Sequence, residues 1–337
     1  MFLENILNSV KKNYRKIPIN GISFDSREVK KQHIFFAIAG NQVSGDNFIN
    51  EAISKGASVI VCSKKTECKK KIPIILVNDV RKSLSEACSN FYKKKKVKII
   101  AVTGTNGKSS VADFFYQILK INKIPVASIG TLGIFSKNYN KKTNLTSLDP
   151  LTLHKSLQIL TKKNVKNIIL EASSHGLEQK RLDYVNISTG IFTNFSHDHL
   201  DYHKNMKSYF NSKMHLFKNL LKKNSNIIVD EDIKEFKSIN KIAKLKKFKK
   251  KTIGVKSGDI RILYNKYNQN DQVIKLLTDK KIYKLKVPLI GFFQIKNLLM
   301  AVHAASLCGL NKSKIFKHVT SNISSSYIQR YYIVINK

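Results

Sequence analysis

The chain has no tryptophan, only five prolines and only four cysteines among 337 residues. The cysteines, Cys62, Cys68, Cys88 and Cys308, include no CxxC pair, which leaves out a zinc knuckle or a dithiol redox motif. Scattered cysteines in a long chain suit a reducing compartment. No apolar run approaches the ~20 residues that a membrane-spanning helix needs. The first residues, MFLENILNSVKKNYRK, lack the apolar core and small-residue cleavage site of a signal peptide. These absences predict a soluble, cytoplasmic protein without membrane insertion.

Acidic residues are also scarce, 22 against 61 basic ones, for a formal net charge of +39. Only six of the cations are arginines, so 55 are lysines. Nucleic-acid recognition favours arginine for bidentate contacts and gathers its charge on one face. Here lysine is spread along the whole chain, which reads as a solvated lysine surface and predicts no nucleic-acid partner. What the chain does have is a 42% share of hydrophobic residues, enough for real cores, and a length for two domains or three small ones.

Residues 1–92 read as a small α/β unit. An opening helix precedes strands at 22–25, 33–39, 58–62 and 74–77, with a helix at 48–55. The lysine run 93–96 reads as a solvated linker. From residue 97 the pattern changes. The continuous apolar run 97–102 suits a buried parallel strand, and a glycine-rich stretch and a helical pattern at 111–119 follow it. Further apolar strands at 125–129, 167–170, 190–193 and 226–229 alternate with helical stretches, which predicts a doubly wound, mostly parallel sheet. Residues 258–287 read as hairpin strands. A helix at 297–308 ends on Gly309.

The glycine-rich stretch is Gly104-Thr105-Asn106-Gly107-Lys108-Ser109-Ser110, one residue shorter than the commonest phosphate-binding loop. Glycines let the backbone wrap closely, N–H groups point at phosphate oxygens, and the helix N-terminus adds partial positive charge. Lys108 would reach the β- and γ-phosphates, and the Ser109 hydroxyl could ligate Mg²⁺. Glu171 closes the strand 167–170, where a carboxylate faces the ligand crevice of such a sheet. His197, Asp198, His199, Asp201 and His203 cluster after the next strand, dense enough for metal or phosphate chemistry. Of these, His199 is the metal candidate. Lys213 shares a helix face with Tyr209, Leu216 and Phe217, so it is either a snorkelling lysine or a special one.

TGTNGKSS, EASSHGLEQKR, NFSHDHLDYH and YFNSKMHLF, in this order and with these gaps, resemble the Mur ligases. The nearest pattern is their UDP-N-acetylmuramoyl-tripeptide synthetase type. FDSR at 24–27, FFAIAGNQ at 35–42, Gly45-Asp46, LTSLDP at 145–150 and GFFQIKN at 291–297 extend the resemblance over about the first 310 residues. It implies a uridine-nucleotide domain over 1–92, a central ATP-binding phosphate-loop domain over 97–318, and a third, Rossmann-like C-terminal ligase domain that is missing. The implied activity is ATP-dependent amide-bond formation in peptidoglycan precursor synthesis. A diamino acid, as a rule meso-diaminopimelate or L-lysine, would join UDP-N-acetylmuramoyl-L-alanyl-D-glutamate through an acyl phosphate. ATP and Mg²⁺ are the implied cofactors.

Lys108, Glu171, His199 and a carbamylated Lys213 are the implied catalytic residues, and Ser109, Glu171, His199 and Lys213 the metal ligands. Asn297 matches a position near the adenine. Phe24, Ser26, Asn41, Gln42 and Val43 match uridine-diphosphate contacts. Thr146, Ser147, Ser173, Gln179 and Arg181 match muramoyl-peptide contacts. Gln294 stands where the family pattern has Asn, and Ser147 where it has Thr. The tail 319–337 departs from the family, so a frameshift or premature stop is expected there, with weak nucleotide binding and little ligation by this chain alone. Two other readings are a non-catalytic nucleotide-binding remnant and a folylpolyglutamate synthetase-like ligase. The uridine-domain motifs and SSHGLEQKR argue against the latter.

Overall fold

Apolar runs bounded by turn residues become strands, and the strands form two sheets, one of four strands and one of ten. A computed structural model describes residues 1–322 apart from Ser9, Asn41, Gln42, 65–71 and Asn270, with side chains at 320–322 left out. The small sheet runs β1 (Gly21–Ser23), β2 (His33–Phe36), β3 (Ala57–Cys62) and β4 (Ile74–Leu76), side by side in that order and all parallel. Both faces are covered. Ile34, Phe36, Val59 and Val61 pack against Leu3, Ile6 and Leu84, while Phe35 and Ile60 pack against Ile49 and Ala52. Side chains alternate along a strand, so neighbouring residues serve opposite cores. Helix α1 (Ile49–Ser54) and α2 (Val80–Phe91) supply those layers, and the Asp79 side chain caps α2 by accepting from the Lys82 N–H.

Among the described residues the expected opening helix is absent, and only two short 3₁₀ turns form in that segment, Leu3–Asn5 and Lys12–Tyr14. The N-terminal backbone instead pairs across a fold-back: Leu3 N–H donates to the Ile17 carbonyl, and Ile19 N–H to that of Met1. Groups used in that pairing cannot also close helical turns.

The large sheet contains β5 (Lys98–Thr103), β6 (Val126–Gly130), β7 (Gly133–Ser136), β8 (Asn167–Glu171), β9 (Ile187–Phe192), β10 (Asn226–Asp230), β11 (Lys249–Gly254), β12 (Ile260–Tyr267), β13 (Gln272–Thr278) and β14 (Lys281–Val287). Their spatial order is β14-β13-β12-β11-β10-β9-β5-β8-β6-β7. From β6 to β12 all pairings are parallel; β7, β13 and β14 add antiparallel edges. The doubly wound, mostly parallel reading therefore holds. Helices α3 (Lys108–Ile121), α4 (Pro150–Lys162), α5 (Ser174–Glu178), α6 (Met206–His215), α7 (Phe236–Leu245), α8 (Phe292–Ser306) and α9 (Lys312–Asn322) complete the elements among the described residues. Helix α6 passes into a π-helical turn at Leu216–Leu220. Helix α8 begins five residues before the expected 297, because Gly291 at φ +87 turns the chain into it. The tail reading from residue 323 onward lies outside the described residues.

The chain divides into two compact units, but not at one cut. Residues 1–95, 148–159 and 179–185 form the first, and 96–147, 160–178 and 186–337 the second. Inside the first unit, Leu151 joins the core of Leu3 and Ile22, and the Ser85 and Ser89 hydroxyls donate to the carbonyls of Lys180 and Tyr184. In the lysine run Lys93, Lys95 and Lys96 are exposed, as a solvated linker would have them, and Lys94 alone is half-buried. The Lys94 amine sits 3.3 Å from Nδ1 of buried His154, and burial lowers its pKa.

In the second unit α3 and α8 bury Val111, Phe114, Phe115, Ile118, Leu298, Leu299 and Val302 in one core with Ile100, Ile169 and Ile228 of the sheet. Replacing fully buried Phe115 by Ala should cost about 3–5 kcal/mol, read as a lowered urea midpoint.

Candidate active site

Strand β5 lies between β8 and β9, and the connection through α3 leads to β6 on one side while β8 leads to β9 on the other. The C-terminal ends of β5, β8 and β9 thus border the topological switch point, where such sheets bind ligands. Thr103 hands over to the phosphate loop, Glu171 ends β8, and Thr193-Asn194 leave β9.

The loop is gripped from β9's exit. Thr105 N–H donates to the Asn194 carbonyl and Asn106 N–H to the Asn194 Oδ1, both at 2.9 Å. The Thr193 hydroxyl donates to the Asn106 carbonyl at 2.6 Å. Gly107, at φ +82, starts α3. A Cβ there would lie 2.5 Å from Oδ1 of Asn297, so the expected adenine-side residue packs against the loop itself. Asn297 in turn donates to buried Gln294 at 3.1 Å. The N–H groups opening α3, from Lys108 to Ser110, have no carbonyl one turn back, which leaves them available to an anion.

Three ionisable side chains converge here in low dielectric. Lys108 Nζ donates to the carbonyls of Gly104 (3.0 Å) and Thr105 (2.7 Å), and burial lowers its pKa. Lys213, 1% exposed, donates to the same Gly104 carbonyl at 2.8 Å. Its Nζ lies 4.2 Å from the ring centre of buried Tyr209, whose hydroxyl donates to Thr105. Burial first, and the Lys108 charge second, push the Lys213 pKa down to about 6. At neutral pH it is largely a free amine, so it is not a snorkelling surface lysine.

Glu171, also buried, accepts from the Ser109 hydroxyl at 2.6 Å, from Thr131 N–H at 3.0 Å and from the Thr131 hydroxyl at 3.1 Å. Burial raises its pKa, against the pull of these donors and of Lys108. The close approach needs Gly130: a Cβ there would lie 2.1 Å from the Glu171 Oε1. Thr131 was not among the residues expected from sequence. It is a hydroxyl residue directly after β6, the strand paired with β8, which Glu171 ends.

The remaining expected residues fall in several places. Thr146 Oγ1 lies 3.1 Å from that of Thr131. The buried Ser147 hydroxyl donates to the Glu171 carbonyl at 2.9 Å and receives the Ser173 N–H and hydroxyl. These three therefore adjoin Glu171. His199 is exposed, at φ +52, with its ring 6.1 Å from Tyr209 and 5.1 Å from His175. His203 is buried and bonded to Glu178 at 3.1 Å. Among the described residues no group of three His, Cys, Asp or Glu side chains is gathered as a metal site.

In the first unit, Phe24 and Val43 are exposed, Ser26 donates to Glu51 at 2.7 Å, and Arg181 donates to Gln179 at 2.7 Å through Nη2. Asn41 and Gln42 lie outside the described residues.

Comparison with known proteins gives one family for both units. The Mur ligase middle-domain profile matches residues 102–305, and a profile described as Mur ligase family, catalytic domain, matches 18–103. A curated relative from Rhizobium meliloti, a UDP-N-acetylmuramoyl-L-alanyl-D-glutamate–2,6-diaminopimelate ligase, is 36% identical over 300 residues, covering 89% of this chain and 62% of the relative. The Rickettsia prowazekii protein of the same name is 39% identical, covering 88% and 61%. A solved structure of a ligase of that name superposes with a TM-score of 0.85 at 27% identity, over 96% of this chain and 67% of that one. The chain thus spans just over three fifths of the length of the curated relatives it matches.

The Lys213 shift has a sign that can be measured. Between pH 6 and 10 the unfolded chain holds a proton on this amine that the folded chain lacks, so raising pH favours folding. Relative to Lys213→Met, the wild type should gain up to about 1.4 kcal/mol per pH unit across that window, read from urea midpoints at pH 6, 7.5 and 9.

Proposed function

The chain belongs to the Mur ligase family, and from that premise we propose that it carries the nucleotide and muramoyl-peptide machinery of a UDP-N-acetylmuramoyl-L-alanyl-D-glutamate–2,6-diaminopimelate ligase working in the cytoplasm. The observation that carries this reading is the pairing, on one phosphate loop, of a largely uncharged buried Lys213 with the Ser109–Glu171 contact. In the proposed reaction the side-chain carboxylate of the glutamyl residue attacks the γ-phosphorus of ATP and ADP leaves. The amine of diaminopimelate then attacks the acyl phosphate carbon and phosphate leaves.

The residues support distinct roles. The N–H groups of 104–110 and the Lys108 ammonium offset negative charge on the phosphates as it shifts towards the leaving oxygen. Asn297, against Gly107, borders the adenine side. Ser109, Glu171, His199 and a carbamate on Lys213 would hold Mg²⁺, which supplies charge neutralisation when bound. The donor set fits that ion: a hydroxyl and a carboxylate already touch. A lysine with pKa about 6 has the free amine that CO₂ needs, and carbamylation turns a would-be cation into an oxygen ligand. Thr146, Ser147, Ser173, Gln179 and Arg181 are assigned to the muramoyl peptide, and Phe24, Ser26, Asn41, Gln42 and Val43 to the uridine diphosphate. Diaminopimelate is favoured over L-lysine because the relatives are named for it.

Two measurements on the 337-residue chain test this. Fluorescent ATP should bind saturably with Mg²⁺, and Lys108→Ala should weaken it at least ~10-fold. ¹³C-bicarbonate should give one carbamate resonance that Lys213→Ala removes. Absence of nucleotide binding by the wild type would overturn the reading.

A further inference from the structure

Glu171 is held by three donors, and they are not equivalent. The Ser109 hydroxyl is itself assigned to the metal, so it acts as a ligand beside Glu171 rather than as a support behind it. Thr131 is the residue that grips the carboxylate by two separate bonds to two different oxygens: its N–H to Oε1 at 3.0 Å and its hydroxyl to Oε2 at 3.1 Å. A carboxylate clasped at both oxygens by one residue cannot rotate about its last side-chain bond without losing one of them. Gly130 closes the remaining side, since its missing Cβ leaves just enough room for Oε1.

The hydroxyl has one proton to give. With Glu171 ionised that proton goes to the carboxylate, so Thr131 Oγ1 can only accept from Thr146 Oγ1, 3.1 Å away. The donors form a directed line, Thr146 to Thr131 to Glu171, and each bond polarises the next. Thr131 itself is an exposed residue after β6, so its side chain has little packing role to lose. The Glu171 carboxylate it holds is buried, so water does not take the place of a lost donor there.

We propose that Thr131 is a positioning residue for the divalent cation, fixing the orientation of Glu171 from behind while its hydroxyl is braced by Thr146. The inference rests on the assignment of Glu171 to the metal made above. Partners standing behind a ligand in this way are worth ~10–100-fold in metal affinity.

The test titrates Mg²⁺, and Mn²⁺ followed by electron paramagnetic resonance, into the full chain with ATP present. Thr131→Val keeps shape and N–H but loses the hydroxyl. It should weaken metal affinity ~10-fold or more, with metal-free ATP binding in EDTA and the urea midpoint unchanged, and Thr131→Ser should recover most of the loss. A Val variant with wild-type metal affinity overturns the proposal. So does a Ser variant as impaired as Val, or a loss of metal-free ATP binding in the same proportion. If the wild type binds ATP without any response to metal, the assignment of Glu171 falls first and this inference with it, a result distinct from the other three.

Discussion

Two lysine amines meet at one carbonyl oxygen, that of Gly104, and the burial around them leaves room for only one full positive charge. Everything else at the site follows from how that conflict is resolved. Water would screen the two cations, but Lys213 is covered by Tyr209 and the loop, so its proton is the one released. At Lys108 the charge of Glu171 raises the pKa against the burial that lowers it. The result is a loop that holds two amines in different settings and, beside them, a carboxylate bonded to three donors. Lysine is abundant everywhere in this chain, yet these two differ from the rest by location alone.

Much of this was legible in the residues. The run 97–102, then Gly104 to Ser110, then a helical pattern, announces strand, phosphate loop and helix, and Lys98–Thr103 and Lys108–Ile121 follow that order. Glu171 was legible because apolar runs in parallel sheets end at the crevice. Thr131 was not. A single threonine after Gly130 carries no periodicity, and its importance comes from β6 and β8 lying side by side, a non-local fact. The N-terminal helix failed for a related reason. Residues 3–19 have an amphipathic start, but the fold-back pairing of Leu3 with Ile17 satisfies the same backbone groups, and tertiary context outweighs local propensity. Likewise Lys93 to Lys96 reads as a solvated run, while Lys94 reaches a buried histidine that no local rule reveals.

Gln294 is buried, and its side-chain carbonyl receives the Asn297 amide, so it holds Asn297 in place. Asn297 in turn packs against Gly107 of the phosphate loop.

The first unit's three-part construction has a consequence for how the protein is made. Its sheet is complete by Leu76, but Leu151 of its core and the carbonyls that receive Ser85 and Ser89 arrive only with residues 148–185. All strands of this sheet are therefore synthesised before the segments that complete its core, and the phosphate loop lies between the two in the chain. A chain ending between residues 96 and 147 would hold the sheet without its closing segments, leaving apolar surface uncovered. The smaller unit is thus completed only after part of the larger one has been made.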